Sequence, residues 1–132
     1  IARAVRNGGV ARAGGDDFLL LSQAPDGERE GRRIAAALAA AFHEPFQVGG
    51  RTIFSTPSIG VAVFPRDGAD PAALLRGADL ALHAAKRTGG NTAAFYVPAL
   101  AADSIVRLDL QNRLHRALDQ DEFRLCYQPV YD

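Results

Sequence analysis

Several residue types that mark particular protein classes are scarce or missing in this chain of 132 residues. The single cysteine, Cys126, rules out an internal disulfide, and nothing indicates an oxidising compartment. No apolar run approaches the ~18 residues of a membrane span, and no signal peptide is visible. Because methionine is absent and the chain begins with Ile1, we expect a piece of a longer polypeptide, with any targeting segment upstream.

The charge balance excludes a further class. Lys and Arg together number 15, as do Asp and Glu, so the formal net charge is zero. A basic surface for a nucleic-acid polymer is therefore not indicated. Apolar residues make up 48% of the chain and charged residues 23%, which is ordinary for a globular protein of one domain.

Local patterns predict a mixture of helices and mostly antiparallel strands. Gly14-Gly15-Asp16-Asp17 separates two β-like runs, as a hairpin turn does. Asp70 is expected to cap a helix that starts at Pro71, and Gly89-Gly90 to stop it. The expected elements are a hairpin of 10–13 and 18–22, a helix over 28–43, a hairpin of 46–48 and 51–55, a strand over 58–64, a helix from Pro71 to Gly89, a strand over 92–97, a helix over 100–119 and a strand over 122–127.

Four of these segments resemble, in the same order, the signature motifs of GGDEF domains, the diguanylate cyclase family. The segments are Arg12-Ala13-Gly14-Gly15-Asp16-Asp17-Phe18 (the signature hairpin), Ser58-Ile59-Gly60 (the SIG strand), 78–86 (the ADxALYxAK helix, with His83 for Tyr) and Gly89-Gly90-Asn91 (GRN). The resemblance covers residues 1–98. It implies an α+β fold of the nucleotidyl-cyclase kind, with a mixed, mostly antiparallel sheet flanked by helices, whose N-terminal strand and helices are missing here.

The resemblance also implies a chemistry, the joining of two GTP molecules into cyclic di-GMP and diphosphate. Asp16 and Asp17 are then the expected catalytic residues, with Asp16 as ligand of Mg²⁺ (or Mn²⁺) because hard cations prefer oxygen. Gly14, Gly15 and Lys86 are the expected nucleotide-binding residues, because backbone amides and a point charge suit phosphate. A homodimer is expected because each subunit presents one GTP. The expected location is cytoplasmic, and upstream segments could anchor the complete protein to a membrane.

Departures from the family pattern leave activity open. Asp17 stands where the family has Glu, and Gly90 where it has a phosphate-binding Arg. The stretch 5–9 lacks the Asp of the RxxD feedback motif, and the strand bearing another metal-binding Asp would precede Ile1. Residues 1–132 alone are therefore expected to be inactive.

A second resemblance begins beyond Pro98. Residues 114–118 and 122–129 look like the opening helix and first strand of EAL domains, the cyclic di-GMP phosphodiesterases. The expected organisation is a GGDEF portion over 1–98, a linker helix over 99–120 and the start of an EAL domain over 121–132. Three readings stay open: a diguanylate cyclase, a degenerate module that binds GTP and regulates an adjacent EAL phosphodiesterase, or a spacer.

Other reactive residues are given structural roles. His43, His83 and His115 lack metal-ligand spacing, and His83 is expected to take the place of the Tyr in packing. Cys126 is expected to be a buried, inert thiol in its strand. Residues 28–33 form a mixed charge run that predicts a solvated helix face. Asp79 is assigned a structural hydrogen bond.

Overall fold

The computed structural model describes residues 2–129, apart from the side chains of residues 105, 107 and 108. Residue 1 and residues 130–132, the outer ends of the predicted 1–98 and 121–132 segments, lie outside the described residues. A short 3₁₀ helix, Ala2–Ala4, precedes the main elements. These are β1 (Gly8–Gly14), β2 (Asp17–Ser22), α1 (Gly27–Ala41), β3 (Phe46–Val48), β4 (Arg51–Ile53), β5 (Ile59–Val61), α2 (Pro71–Arg87), β6 (Ala93–Phe95) and α3 (Pro98–Asp119).

The strands form three separate pairs. β1 with β2 and β3 with β4 are antiparallel hairpins, whereas β5 and β6 are parallel, as a crossover through α2 requires. The predicted α+β class with mostly antiparallel pairing is confirmed. Within residues 2–129, however, the pairs do not join into one continuous sheet.

The centre of the fold is the contact of α2 with β5, and it is built from small residues. Ala81 and Ala85 are 0% and 1% exposed, and Gly77 one turn earlier is also buried. The spacing of four residues places all three on one face of α2. On the strand, a Cβ added at Gly60 would lie 2.0 Å from the carbonyl oxygen of Ala78. The backbones of strand and helix therefore approach so closely that only glycine fits there.

Helix α1 lies against the opposite face of the same strand pair. A Cβ at Gly31 would meet Val61 at 2.9 Å and the Phe95 ring at 3.2 Å. Since successive strand residues face opposite sides, Gly60 contacts α2 while Val61 contacts α1. The guanidinium of Arg32 lies 4.8 Å from the centroid of the Phe95 ring. A layer of two strands is thus covered by a helix on each side.

The charge run over 28–33 holds α1 to its surroundings and is more than a solvated face. Arg33 donates to both carboxylate oxygens of Glu30 at 2.7 Å and to the Ala4 carbonyl at 2.7 Å, while the Ser22 hydroxyl donates to Glu30 at 3.0 Å. The bonds from Arg33, then that from Ser22, lower the pKa of Glu30 to about 2, against the opposing effect of desolvation. The 3₁₀ helix, β2 and α1 therefore meet at the Glu30–Arg33 ion pair, with Ala4 bonded to Arg33 and Ser22 to Glu30.

A second ion network joins α1 to the turn after β5. Glu28 accepts from Arg32 and from Arg66, each at 2.7 Å, and Arg66 also pairs with Asp67. Asp67 in turn accepts from the backbone N–H of Val63 at 2.7 Å. The hydrogen bond from Arg66, followed by that from Val63, lowers the pKa of Asp67. Sequence spacing alone could not show this network, because Glu28 and Arg66 are distant in the chain.

Most of the predicted elements are present, with shorter strands. The helix start at Asp70 is confirmed, since its carboxylate accepts from the Ala73 N–H at 2.8 Å. The run over 58–64 gives only three strand residues, and these are half-buried although a full burial was predicted. The β5–β6 pair has only two strands, so each strand has an open edge, which explains the difference.

The end of the described chain contradicts two predictions. The strand over 122–127 is wrong, because residues 122–129 pair with no strand of the described chain and Leu125 and Tyr127 are exposed. Cys126 is likewise exposed rather than buried. A strand needs a partner that satisfies its backbone groups, and residues 122–129 form no such pairing with β1–β6. Before this segment, α3 carries an uncovered apolar stripe of Val106, Leu110, Leu114 and Leu118. None of the described helices is both long and apolar enough to cross a membrane.

Candidate functional site

The signature residues form the tip of the β1–β2 hairpin. Gly14 pairs with Asp17 across the strands, so Gly15 and Asp16 are the two turn residues. Gly15 has φ +50°, the positive value that the first central position of a type II′ hairpin turn requires. A Cβ at Gly14 or Gly15 would meet nothing within 4 Å. The tip is therefore open to solvent on the side of both glycines, where a ligand can approach the backbone.

Arg12 holds this tip from within the hairpin. Its Nε and Nη2 both donate to the carbonyl oxygen of Gly15, at 2.9 and 2.6 Å. The ladder between β1 and β2 is irregular between Arg12 and Gly14. The side chain therefore supplies hydrogen bonds at the point where backbone pairing is interrupted. Sequence reasoning assigned Arg12 no role, and only its place within the signature segment marked it.

Lys86 lies close to the tip although it comes from the far end of α2. Its Nζ is 3.7 Å from Oδ1 of Asp17, and the two side chains are 51% and 58% exposed. A surface ion pair of this kind contributes little stability, about 0–1 kcal/mol. Its interest is geometric: the structure brings together Asp17 and Lys86, two residues that the motifs singled out separately. Gly14, Gly15 and Asp16 are their neighbours at the same tip.

The end of α2 accounts for Gly90, the residue that departs from the family pattern. Gly90 N–H donates to Ala85 O at 3.1 Å and Gly89 N–H to Lys86 O at 3.4 Å, the two bonds of a Schellman motif. Gly90 has φ +72° and faces Ser58, whose hydroxyl would lie 3.3 Å from a Cβ. An arginine here would be strained. The local backbone thus favours glycine over a phosphate-binding cation at this position.

The oxygen donors at the tip suit part of a magnesium site. Asp16 and Asp17 present two exposed carboxylates, and Mg²⁺ is commonly held by one or two carboxylates together with substrate phosphates and water. Among residues 2–129, no three His, Cys, Asp or Glu side chains gather into a metal-binding cluster. The tip therefore fits a cation that is shared with a ligand better than a closed protein cage.

His83 and Asp79 line the exposed side of α2 leading towards Lys86. His83 Nε2 lies 3.7 Å from Asp79 Oδ2, with side chains 69% and 65% exposed. The prediction that His83 replaces the family's Tyr in packing is wrong, because this exposed side chain lies away from the buried Ala81–Ala85 face of the helix. In the described part of the chain, the ion pair of Asp79 is with His83, one helical turn further along α2.

Comparison with known proteins identifies the family. The sequence profile described as "Diguanylate cyclase, GGDEF domain" matches residues 1–92. The chain belongs to the GGDEF family. The solved GGDEF domain of PA1120 (YfiN or TpbB) from Pseudomonas aeruginosa is 34% identical and superposes with a TM-score of 0.67, covering 72% of this chain and 60% of that one. GGDEF domains generally use Mg²⁺.

Curated relatives match beyond the GGDEF profile. The signaling protein YkoW of Bacillus subtilis is 34% identical over 126 residues, and the cyclic di-GMP phosphodiesterase NbdA of P. aeruginosa is 36% identical over 121 residues. These alignments cover 95% and 92% of this chain but only 16% and 15% of the relatives. The chain therefore corresponds to a small part of each of these longer proteins, and the likeness extends into α3.

Proposed function

We propose that this GGDEF portion serves, in its complete protein, as a diguanylate cyclase that converts two GTP molecules into cyclic di-GMP and diphosphate. The observation that carries the proposal is the approach of Lys86 to Asp17 at 3.7 Å. It joins a cation and two neighbouring carboxylates at an exposed glycine turn, groups that can position a phosphate and hold the metal ion used in phosphoryl transfer. GTP and cyclic di-GMP are the proposed ligands, in a cytoplasmic homodimer.

Each residue of the tip takes one role in this proposal. Lys86 would bind phosphate oxygens, and the Gly14 and Gly15 backbone would let the nucleotide approach closely. Asp16 would hold Mg²⁺ and accept the proton of the ribose 3′-hydroxyl. The hydroxyl oxygen then bonds to the α-phosphorus of the other GTP, and diphosphate leaves. Asp17 would assist Asp16 and orient Lys86. A bound Mg²⁺ supplies neutralisation of the charge that develops on the phosphate oxygens.

The test is synthesis of cyclic di-GMP by the longest natural polypeptide that contains residues 1–132. Incubation with GTP and Mg²⁺, followed by chromatography and mass spectrometry, should detect the product. Asp16→Asn should lower kcat by about 100-fold or more and Lys86→Met by a similar factor, as for other groups that face a developing charge. Arg51→Gln, in the remote β3–β4 hairpin, should leave the rate unchanged. A wild-type protein that forms no cyclic di-GMP would refute the cyclase proposal.

A regulatory module is the second candidate, and two observations favour it. Gly90 is fixed in a Schellman turn where a phosphate-binding Arg would be expected, and NbdA, 36% identical, is named as a cyclic di-GMP phosphodiesterase. In this candidate the tip binds GTP without turnover, α3 acts as a linker over 99–120, and residues 121–132 begin an EAL domain. GTP binding without synthesis, together with a change in phosphodiesterase rate, would select it.

Residues 1–132 alone are proposed to be inactive. The described part of the chain presents two carboxylates at the tip and no cluster of three potential ligands. A further carboxylate from another segment would therefore be needed for a complete metal site. Formation of cyclic di-GMP by residues 1–132 in the same assay would contradict this.

A further inference from the structure

Arg12 is the charged residue in the hairpin whose contacts the proposed chemistry does not use. It lies in β1 opposite Phe18, one residue before the ladder becomes irregular. Two of its guanidinium nitrogens donate to a single acceptor, the Gly15 carbonyl oxygen, at 2.9 and 2.6 Å. Both distances lie within or below the usual range for N–H···O bonds. The planar fork of the guanidinium thus spans the turn from residue 12 to residue 15.

These bonds fix the orientation of one peptide group. The peptide between Gly15 and Asp16 is planar and trans, so its N–H points opposite to its carbonyl. With the Gly15 oxygen held towards Arg12, the Asp16 N–H is directed to the other side. Glycine is the residue with the widest choice of backbone angles, so the Gly15 peptide is the part of the tip that most needs such a hold. The Cα of Asp16 belongs to this same peptide plane.

We propose that Arg12 is a positioning residue, which orients the Asp16 carboxylate and amide through the Gly15 peptide. The proposal rests on the proposed function of the tip. In this role Arg12 acts through the turn and not on the nucleotide, since its Nε and one Nη2 donor are directed at the Gly15 carbonyl. Misplacement of a reacting group by about 1 Å can cost about 100-fold in rate. Hydrogen bonds that fix the conformation of the turn are therefore sufficient to affect the reaction.

Two substitutions separate geometry from charge. Arg12→Lys keeps the positive charge but loses the planar pair of donors, whereas Arg12→Gln loses the charge as well. If Arg12 positions the turn, both variants should lower kcat by about 10-fold or more, with the KM for GTP changed by less than about threefold. Arg51→Gln removes an exposed arginine from the other hairpin and serves as the matched control. These rates are measured in the complete protein.

Amide chemical shifts test, without catalytic turnover, whether Arg12 fixes the conformation of the tip. In ¹⁵N-labelled chain 1–132, both Arg12 variants should shift the amide resonances of Gly15 and Asp16, and Arg51→Gln should not. An Asp16 amide that stays unchanged in Arg12→Gln would overturn the proposal. So would a KM raised tenfold at constant kcat, since that result indicates direct contact with GTP.

The two proposals fail in different ways. If the wild-type protein forms no cyclic di-GMP, the proposed function is wrong and the positioning role falls with it, even where the amide shifts are seen. If the wild-type protein is active and both Arg12 variants match it in kcat, only the positioning role is refuted. Reduced kcat together with the amide shifts is the result that supports it.

Discussion

Substitution of Gly60 by alanine tests the packing on which the position of Lys86 depends. The new Cβ would lie 2.0 Å from Ala78 O and 2.3 Å from Leu82 N, whereas real Cβ atoms essentially never approach within 3.0 Å. Relief requires a shift of about 1 Å between β5 and α2, because both obstructing atoms belong to the helix backbone. Overpacking typically costs about 1–3 kcal/mol, and we expect the upper end, about 3 kcal/mol, since no side chain can rotate away.

Gly9→Ala is the matched control, because Gly9 is also in a strand and a Cβ there would meet nothing within 4 Å. Alanine is favoured over glycine inside a strand by about 0.5–1 kcal/mol, so this variant should be neutral or slightly more stable. Urea unfolding followed by circular dichroism measures both free energies of unfolding, and an unchanged m-value would show a change in stability alone. Equal stability of Gly60→Ala and Gly9→Ala would refute the close approach of β5 and α2.

Two further predictions concern stability. The pKa of Glu30 is lowered from 4.5 to about 2, so its contribution should be full above pH 4.5 and lost as the pH falls towards 2. Glu30→Gln should therefore flatten the dependence of the urea midpoint on pH in that window. Glu44→Gln, at an exposed position, is the control. Equal slopes for the two variants would contradict the prediction. Asp70→Ala removes the cap on the Ala73 N–H and should cost about 1 kcal/mol, whereas Asp70→Asn should cost only a few tenths; equal losses in thermal unfolding would argue against the cap.

Local rules predicted the helices and hairpins well because each is specified by neighbouring residues. The cap at Asp70 and the stop at Gly89 need only a few positions of the chain. The strand over 122–127 could not be judged in this way. The alternation of Phe123, Leu125 and Tyr127 would place three apolar side chains on one face of a strand. A strand also needs a neighbouring strand to pair with, and a local pattern does not show whether one is present. The same limitation explains why Cys126 was placed wrongly.

The site was predictable as a set of residues but not as an arrangement. The motifs singled out Asp17 and Lys86, yet only the structure places them 3.7 Å apart. Arg12 was visible in the signature segment, but its bonds to Gly15 depend on the side-chain rotamer and the shape of the turn. The charge run over 28–33 predicts a solvated face, because a local pattern does not include the Ala4 carbonyl, which accepts from Arg33 across a long stretch of chain.

The packing and the candidate site are connected through α2. Gly60 allows the helix to lie against β5. The buried residues of α2 are Gly77, Ala81 and Ala85, and Ala85 directly precedes Lys86. A displacement of α2 by the ~1 Å that Gly60→Ala demands would therefore also move the Lys86 backbone relative to the hairpin tip. Because positioning errors of that size can cost about 100-fold in rate, Gly60→Ala in the complete protein should lower kcat even at temperatures where it stays folded. Full kcat in a destabilised but folded Gly60→Ala protein would show that the tip and α2 are mechanically independent.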